Sequence, residues 1–325
     1  MKPPRREFLH LAAFAAALAA VSSIACAQTY PSRFVRLIVP FPPGGQMDIV
    51  GRIIGQWLSE RLGQQFIVDN RPGAGGNIGT EAVVSAPMDG HTLLLASATN
   101  AINATLYDNL KFKFIRDTTP VASINRVPLI LEVHPSFAAR TVPDLIAYAT
   151  ANPGKVNLAT PPKGTAPYMA AALLKMMAGI DVVLVPYRGS GPMVTDLLGG
   201  QVQAAFDGLS SSIEHIRAGK LRGLGVASAA RLAELPDVPA IGENVVGFEA
   251  SGWSGIVAPR NTPIAIVEKL HSEINAGLAD PKVKARLADV GVTVLALSTA
   301  DFGKLIADET EKWEKVVKFT GLKPE

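Results

Sequence analysis

A glycine-rich turn between a strand and a helix is the feature of this sequence best suited to ligand binding. The apolar run at 34–39 predicts a strand, the turn covers 40–45, and apolar residues at helical spacing follow from Ile49 to Leu58. A helix that begins directly after such a turn presents unpaired backbone N–H groups and the positive end of its dipole. Both favour an anion. We therefore expect an anion-binding loop here.

The residues that would perform chemistry on a bound anion do not occur in a recognisable set. Beyond the N-terminal segment, the histidines fall on separate predicted elements without zinc-site spacing: His91, His134, His215 and His271. The turn lacks the G-K-[ST] of a nucleotide P-loop, and Ser254 lacks the glycine spacing of a hydrolase nucleophile. Residues 73–79 lack the dinucleotide fingerprint. We expect a receptor for small anions, with no catalytic residue, metal or cofactor.

The first 27 residues have the pattern of an export signal. A basic region ending in Arg5 and Arg6 precedes an apolar stretch at 9–24, and Ala-Cys-Ala at 25–27 fits a cleavage site. The adjacent arginines are also typical of the twin-arginine route, with ordinary export as the alternative. We predict a signal peptide at 1–27, cleavage near Ala27 and a periplasmic mature protein without cysteine.

Charge and composition favour an α/β protein and give no indication of a nucleic-acid partner. The net charge of +3 includes +2 from the predicted signal peptide, and the other basic residues are scattered. Few charged residues together with 29 glycines and 24 prolines are typical of buried parallel strands with many tight turns. A length of 325 residues favours two domains.

Strand and helix signals alternate in two separate series. A β-α-β-α-β pattern covers 34–96 and a second α/β series covers 128–227, each with glycine-rich or hydroxyl-rich loops at strand ends. Residues 101–120 are rich in Asp, Asn and Pro and are expected to be irregular. Residues 263–319 are predicted to be helical and leave no strand in the tail. We therefore expect the tail to pack on the first series.

A returning tail makes the first domain discontinuous. We expect domain 1 at 28–122 and 251–325 and domain 2 at 123–250, with backbone crossings near 121–127 and 246–257. Two α/β lobes joined by two crossing strands form a hinged cleft suited to closure on a ligand. Trp253 lies on the second crossing, where it either packs or lines the cleft.

Long segments of the sequence resemble the tripartite tricarboxylate transporter substrate-binding proteins, also called Bug receptors. The resemblance is carried by RFVRLIVPFPPGGQMDIVGRIIG, PMDGHTLLLAS, VPYRGSGPMVTDLLGGQVQAAFD and EKWEKVVKFTGLKPE. It implies a two-lobed periplasmic binding protein of the type II solute-binding fold. It also implies a monomer that captures a mono-, di- or tricarboxylate, an amino acid or an aromatic acid. Such a receptor delivers its ligand to membrane permease subunits.

The resemblance also implies which residues bind the ligand. In the first domain they are Phe41, Pro43, Gly44, Gly45, Asp48, Ser97, Thr99 and Asn100. In the second domain they are Lys163, Gly164, Thr165, Ala166, Tyr187, Gly189 and Asp207. Asp48 has helix capping as an alternative role, and Lys163 has surface solvation. Tyr168 stands where family members often carry histidine, which makes it a candidate for selecting the ligand.

Two other functions stay open at this point. An exported hydrolase on the same scaffold needs a reactive residue in the cleft, and the sequence offers no recognisable set. A sensory receptor that reports ligand status to a membrane kinase shares the binding step and differs only in its partner.

Overall fold

The computed structural model describes residues 30–323, so the predicted signal peptide lies outside the described residues. The strands in this range are β1 (Val35–Val39), β2 (Phe66–Asn70), β3 (Thr92–Ser97), β4 (Thr118–Val127), β5 (Leu129–Val133), β6 (Asn157–Thr160), β7 (Val183–Pro186), β8 (Ala204–Gly208), β9 (Arg222–Val226), β10 (Gly252–Pro259) and β11 (Thr293–Val294). The helices are α1 (Gln46–Leu62), α2 (Asn77–Val84), α3 (Ala98–Leu106), α4 (Phe114–Asp117), α5 (Val142–Ala151), α6 (Ala166–Ala178), α7 (Ser190–Leu198), α8 (Leu209–Arg217), α9 (Ile264–Ala279), α10 (Pro281–Asp289) and α11 (Thr299–Thr320).

The strands form two mixed sheets. The first has the order β11-β4-β10-β3-β1-β2, with β1 parallel to β2 and β3 and with β10 antiparallel to β3 and β4. The second has the order β7-β6-β8-β5-β9, with β6 parallel to β7 and β8 and with β5 antiparallel to β8 and β9. Every residue of β3 and β10 is buried, which explains their nearly continuous apolar sequence.

The chain passes between the sheets at two neighbouring points. β4 ends at Val127 in the first sheet, and β5 begins at Leu129 in the second. On the return, β10 begins at Gly252, which pairs with Val127. The expected boundary at 122/123 falls inside β4, which continues in the first sheet because both β10 and β11 pair with it. We call 33–127 with 252–323 the first lobe and 129–250 the second lobe.

Residues 101–120 are not irregular as expected, because α3 and α4 lie there. Asn100 Oδ1 accepts a hydrogen bond of 2.9 Å from the Ser97 N–H at the start of α3. Asn103 Nδ2 donates to Gly75 O at 2.8 Å and ties the helix to the preceding turn. Asparagines that suggested a loop in the sequence therefore begin and anchor a helix.

The C-terminal residues pack on the first lobe. Trp313 in α11 is fully buried, and Phe302 in the same helix meets Trp253 edge to face with ring centres 5.7 Å apart. Trp57 Nε1 donates to Glu273 O at 2.8 Å and joins α1 to α9. The tail also adds the two-residue strand β11, contrary to the expectation of no strand, because so short a strand leaves no periodic pattern. Within 30–323, no helix is both long and apolar enough for a membrane span.

Candidate functional site

A cavity of about 570 Å³ lies between the two lobes. The first lobe lines it with Phe41, Gln46, Met47, Ile49, Ser97, Ala98, Thr99 and Val290. The crossing strands contribute Val127, Leu129, Gly252 and Trp253. The second lobe contributes Pro161, Ala166, Pro167, Ser190, Asp207, Gly208, Ser210 and Ser211.

Five helices begin at this cavity, namely α1, α3, α6, α7 and α8, because each follows a strand end that faces the cleft. The N-caps of α1, α7 and α8 are Gly45, Gly189 and Gly208, which have no side chain to cap the first N–H groups. Among the described residues that line the cavity, none is Lys, Arg or His. An arrangement of this kind favours an anion held by backbone N–H groups and helix dipoles.

Three buried polar atoms on the cavity wall have no hydrogen-bond partner within the described part of the chain. They are Ser97 Oγ, Trp253 Nε1 and Asp207 Oδ2. Buried polar groups in folded proteins nearly always have a partner, so such atoms at a cavity indicate a place for a ligand or an ordered water. The three atoms lie at the end of β3, the start of β10 and the end of β8.

Asp207 is the one ionisable residue among the described residues of the cavity wall. Its Oδ1 accepts hydrogen bonds from Ser190 Oγ at 2.6 Å and from the Gly208 N–H at 2.7 Å. Burial raises the pKa of the Asp207 carboxyl, and the interactions with Ser190, Gly208 and Ser211 act in the opposite direction. Oδ1 is thus held by the starts of α7 and α8, and Oδ2 has no partner at hydrogen-bond distance and geometry within the described residues.

Five of the residues implied by the resemblance line the cavity: Phe41, Ser97, Thr99, Ala166 and Asp207. Others adjoin it along the chain. Pro43, Gly44 and Gly45 form the exposed turn that leads into Gln46, while Thr165 and Gly189 are the N-caps of α6 and α7.

The remaining implied residues lie off the cavity wall. Lys163 and Gly164 lie in the loop before α6. The Tyr187 hydroxyl donates to Asp196 Oδ2 at 2.8 Å, and burial with this partner raises the pKa of Tyr187 to about 12. Tyr168 is 7% exposed and packs within the apolar core, so any effect on ligand choice is indirect.

Two polar residues implied in the first lobe are held by structural hydrogen bonds. The Asp48 carboxylate accepts three hydrogen bonds, from the Gly44 N–H at 2.9 Å, from Arg52 Nε at 2.9 Å and from Asn70 Nδ2 at 3.0 Å. The Arg52 hydrogen bond is the main cause that lowers the pKa of Asp48 to about 2. Asp48 therefore fixes the glycine turn, and Asn100 likewise holds the start of α3.

Several lining residues lie outside the ligand-binding set that the resemblance implies. Most lie in the first turn of a helix that follows a cleft-facing strand: Gln46, Met47, Ile49, Ser190, Ser210 and Ser211. The signal that could have identified them is their position directly after a glycine N-cap, because a first helical turn faces whatever the N–H groups face. Trp253, for which the sequence allows either packing or lining, does both: it packs against Phe302 and lines the cavity.

Residues 50–322 match the family described as Tripartite tricarboxylate transporter family receptor. The chain belongs to this family. Its members are periplasmic solute-binding receptors and not enzymes. The resemblance, the two-lobed α/β fold and the non-enzymatic class predicted from the sequence are therefore confirmed.

Three similar proteins illustrate the match. Protein BugT of Bordetella pertussis is 37% identical over 310 residues, covering 94% of this chain and 95% of BugT. An R. palustris protein solved with adipate is 36% identical with a TM-score of 0.75, covering 91% of this chain and 100% of that one. MatC from Rhodopseudomonas palustris with bound malate is 31% identical with a TM-score of 0.72, covering 89% and 100%.

Proposed function

We propose that this receptor captures a small carboxylate in the cavity between its lobes and delivers it to the permease subunits of a tripartite tricarboxylate-type transporter. The observation that carries the proposal is the meeting of five helix starts at a cavity with no cationic side chain among its described lining residues. This arrangement suits a compact anion that accepts hydrogen bonds from several backbone N–H groups at once. Adipate and malate, bound by two similar proteins, are both dicarboxylates.

The proposal includes the organisation of the whole chain. The signal peptide at 1–27 is removed near Ala27, and the mature protein acts in the periplasm as a monomer. Domain 1 combines the two terminal segments and domain 2 the middle of the chain, with the Val127–Leu129 crossing and the Gly252 crossing as the hinge. In support, the strands of residues 33–127 and 252–323 form one sheet, and those of residues 129–250 form the other.

A carboxylate that binds only the folded receptor must raise its melting temperature. At a ligand concentration of about 100 times Kd, the expected gain is about 2.7 kcal/mol in the free energy of unfolding. We expect adipate, malate or another member of a panel of mono- and dicarboxylates, amino acids and aromatic acids to give this shift. The matched control is the primary amide of each active acid, which keeps nearly the same size and shape and lacks the charge. A flat response to the whole panel would contradict the proposal.

A pull-down from solubilised membranes distinguishes delivery to a transporter from sensing. If the ligand-loaded receptor recovers permease subunits, the result supports transport. If it recovers a membrane kinase instead, the result supports the sensory alternative.

One close approach between the lobes offers a test of whether contact between them supports binding in the cavity. Gly291, just after α10, has φ +74°, and a Cβ placed there would lie 2.2 Å from Ser210 Cβ on the cavity wall. Beside it, Gln46 Nε2 donates to Val290 O at 3.0 Å. The first lobe therefore touches α8 at a point where only glycine fits.

Gly291→Ala is expected to weaken binding of the best carboxylate at least tenfold in calorimetry, because the added methyl group separates the lobes at Ser210. Gly200→Ala is the matched control, since Gly200 has φ +69° and nothing within 4 Å of an added Cβ. Both variants carry similar backbone strain. Equal affinity in the two variants would show that the contact does not affect the cavity.

A further inference from the structure

The hydrogen-bonding groups of the cavity divide into two regions of opposite character. The starts of α1, α3 and α6 line the cavity, and the first N–H groups of a helix are donors without a partner inside the helix. Near α7 and α8 the wall carries an acceptor: Ser190 and Gly208 at the starts of these helices donate to Asp207 Oδ1, and Asp207 Oδ2 has no hydrogen-bond partner within residues 30–323.

This division sets the orientation of a bound carboxylate. The positive ends of α7 and α8 already face the Asp207 carboxylate, so they are partly neutralised. A ligand carboxylate placed beside Asp207 would meet a like charge. The acidic residue at the start of α1, Asp48, lies off the cavity wall and its charge is paired with Arg52 at 2.9 Å. The ligand carboxylate therefore belongs at α1, α3 and α6.

The group that faces Asp207 must then supply a hydrogen. Asp207 is 1% exposed, and an acceptor buried to this degree without a partner is costly. A hydroxyl, an ammonium or an N–H group on the ligand satisfies Oδ2, whereas a methylene leaves it unpaired. The atoms between the two polar ends meet an apolar wall that includes Phe41, Met47 and Leu129.

We infer that the preferred ligand is a small carboxylic acid that also carries a hydrogen-bond donor, with its carboxylate at the starts of α1, α3 and α6 and its donor on Asp207 Oδ2. The inference rests on the proposed function and deepens it. It makes Asp207 a specificity-determining residue, because it separates hydroxy and amino acids from their unsubstituted analogues of the same length.

Matched acids that differ by one group test this inference by calorimetry on the mature protein. The pairs are succinate and malate, glutarate and 2-hydroxyglutarate, and benzoate and 4-hydroxybenzoate. A hydrogen bond to a charged partner predicts that the hydroxylated member of a binding pair has a Kd about tenfold lower or better. Asp207→Asn places an amide N–H group where Oδ2 stood, so a donor replaces the acceptor. This variant should lose the preference for hydroxylated acids and bind 2-oxoglutarate, whose keto oxygen accepts a hydrogen bond, more tightly than 2-hydroxyglutarate.

Asp196→Asn is the matched control, because it removes one negative charge in the same way as Asp207→Asn. Asp196 lies on α7, accepts a hydrogen bond from Tyr187 and does not line the cavity. It should keep the wild-type preference. Equal or tighter binding of the unsubstituted acids by the wild-type protein overturns this inference and leaves the proposed function intact. Binding of none of the six acids and of no other acid of the wider panel counts against both. The wild-type comparison needs no variant, so poor folding of Asp207→Asn does not remove the test.

Discussion

Gly45→Asp is expected to abolish carboxylate binding while the protein stays folded. Gly45 has φ −79° and ψ 168°, a conformation open to any residue, and an added Cβ would approach only Pro42 O, at 3.7 Å. Aspartate is a favourable N-cap, so its side chain would accept hydrogen bonds from the first N–H groups of α1. It would then occupy the donors that the ligand needs and place a like charge beside it.

The size of this effect follows from the repulsion between two carboxylates. At a separation of about 4 Å and an effective dielectric constant of about 20, two like charges repel by about 4 kcal/mol, roughly a thousandfold in Kd. Calorimetry with the best carboxylate measures the loss, and thermal unfolding without ligand checks the fold. Gly45→Asn has the same shape and capping ability without the charge, so the difference between the two variants isolates repulsion. Wild-type affinity in Gly45→Asp would remove the glycine turn from the site.

The stability of the protein is expected to fall between pH 5 and pH 8 because of Glu132. This residue on β5 is fully buried; its Oε1 accepts from Ser212 Oγ at 2.7 Å, and its Oε2 has no partner in the described chain. Burial raises the pKa of Glu132 from 4.5 to about 8, and the neighbouring Asp207 carboxylate adds to the rise.

The sign of the pH dependence follows from proton binding. Between pH 4.5 and 8 the folded protein keeps the Glu132 proton that the unfolded chain has released, so each pH unit lowers the free energy of unfolding by about 1.4 kcal/mol. The stabilisation is complete below pH 4.5 and lost as the pH rises through 8. Because the slope is smaller near each pKa, the loss from pH 5 to pH 8 is about 3 to 4 kcal/mol.

Urea unfolding at several pH values measures this loss. Glu132→Gln should remove most of the slope, because the amide cannot ionise and can still accept from Ser212. Glu214→Gln serves as control, since Glu214 lies on α8 with a side chain 78% exposed, and it should keep the wild-type slope. A slope that survives in Glu132→Gln would assign the pH dependence to another group.

Much of the fold could be predicted because its signals are local. The runs at β1 and β3 and the glycine turn at 40–45 specify strand, turn and helix through residues close together in sequence. β11 could not be predicted, because a two-residue strand gains its hydrogen bonds from β4, more than 150 residues away. The helix α3 was missed because Asn100 and Asn103 find partners that the sequence alone does not reveal.

The candidate site was predictable to the level of its loops and not of its side chains. Strand ends indicate where a ligand lies, but the direction of a side chain depends on tertiary contacts. Asp48 illustrates this limit, because its carboxylate turns back to the Gly44 N–H and Arg52. The sequence likewise does not reveal that Asp207 Oδ2 lacks a hydrogen-bond partner. This depends on the tertiary structure, in which the donors at the starts of α7 and α8 reach Oδ1 instead.

The division of the helix starts between the lobes has a mechanical consequence. The starts of α1 and α3 belong to the first lobe and that of α6 to the second, so neither lobe alone supplies all three. A carboxylate that contacts all three works as a crosslink across the hinge, and the free energy of its binding holds the lobes together. Release then requires the lobes to separate, so a membrane partner that pulls them apart would eject the solute without touching it.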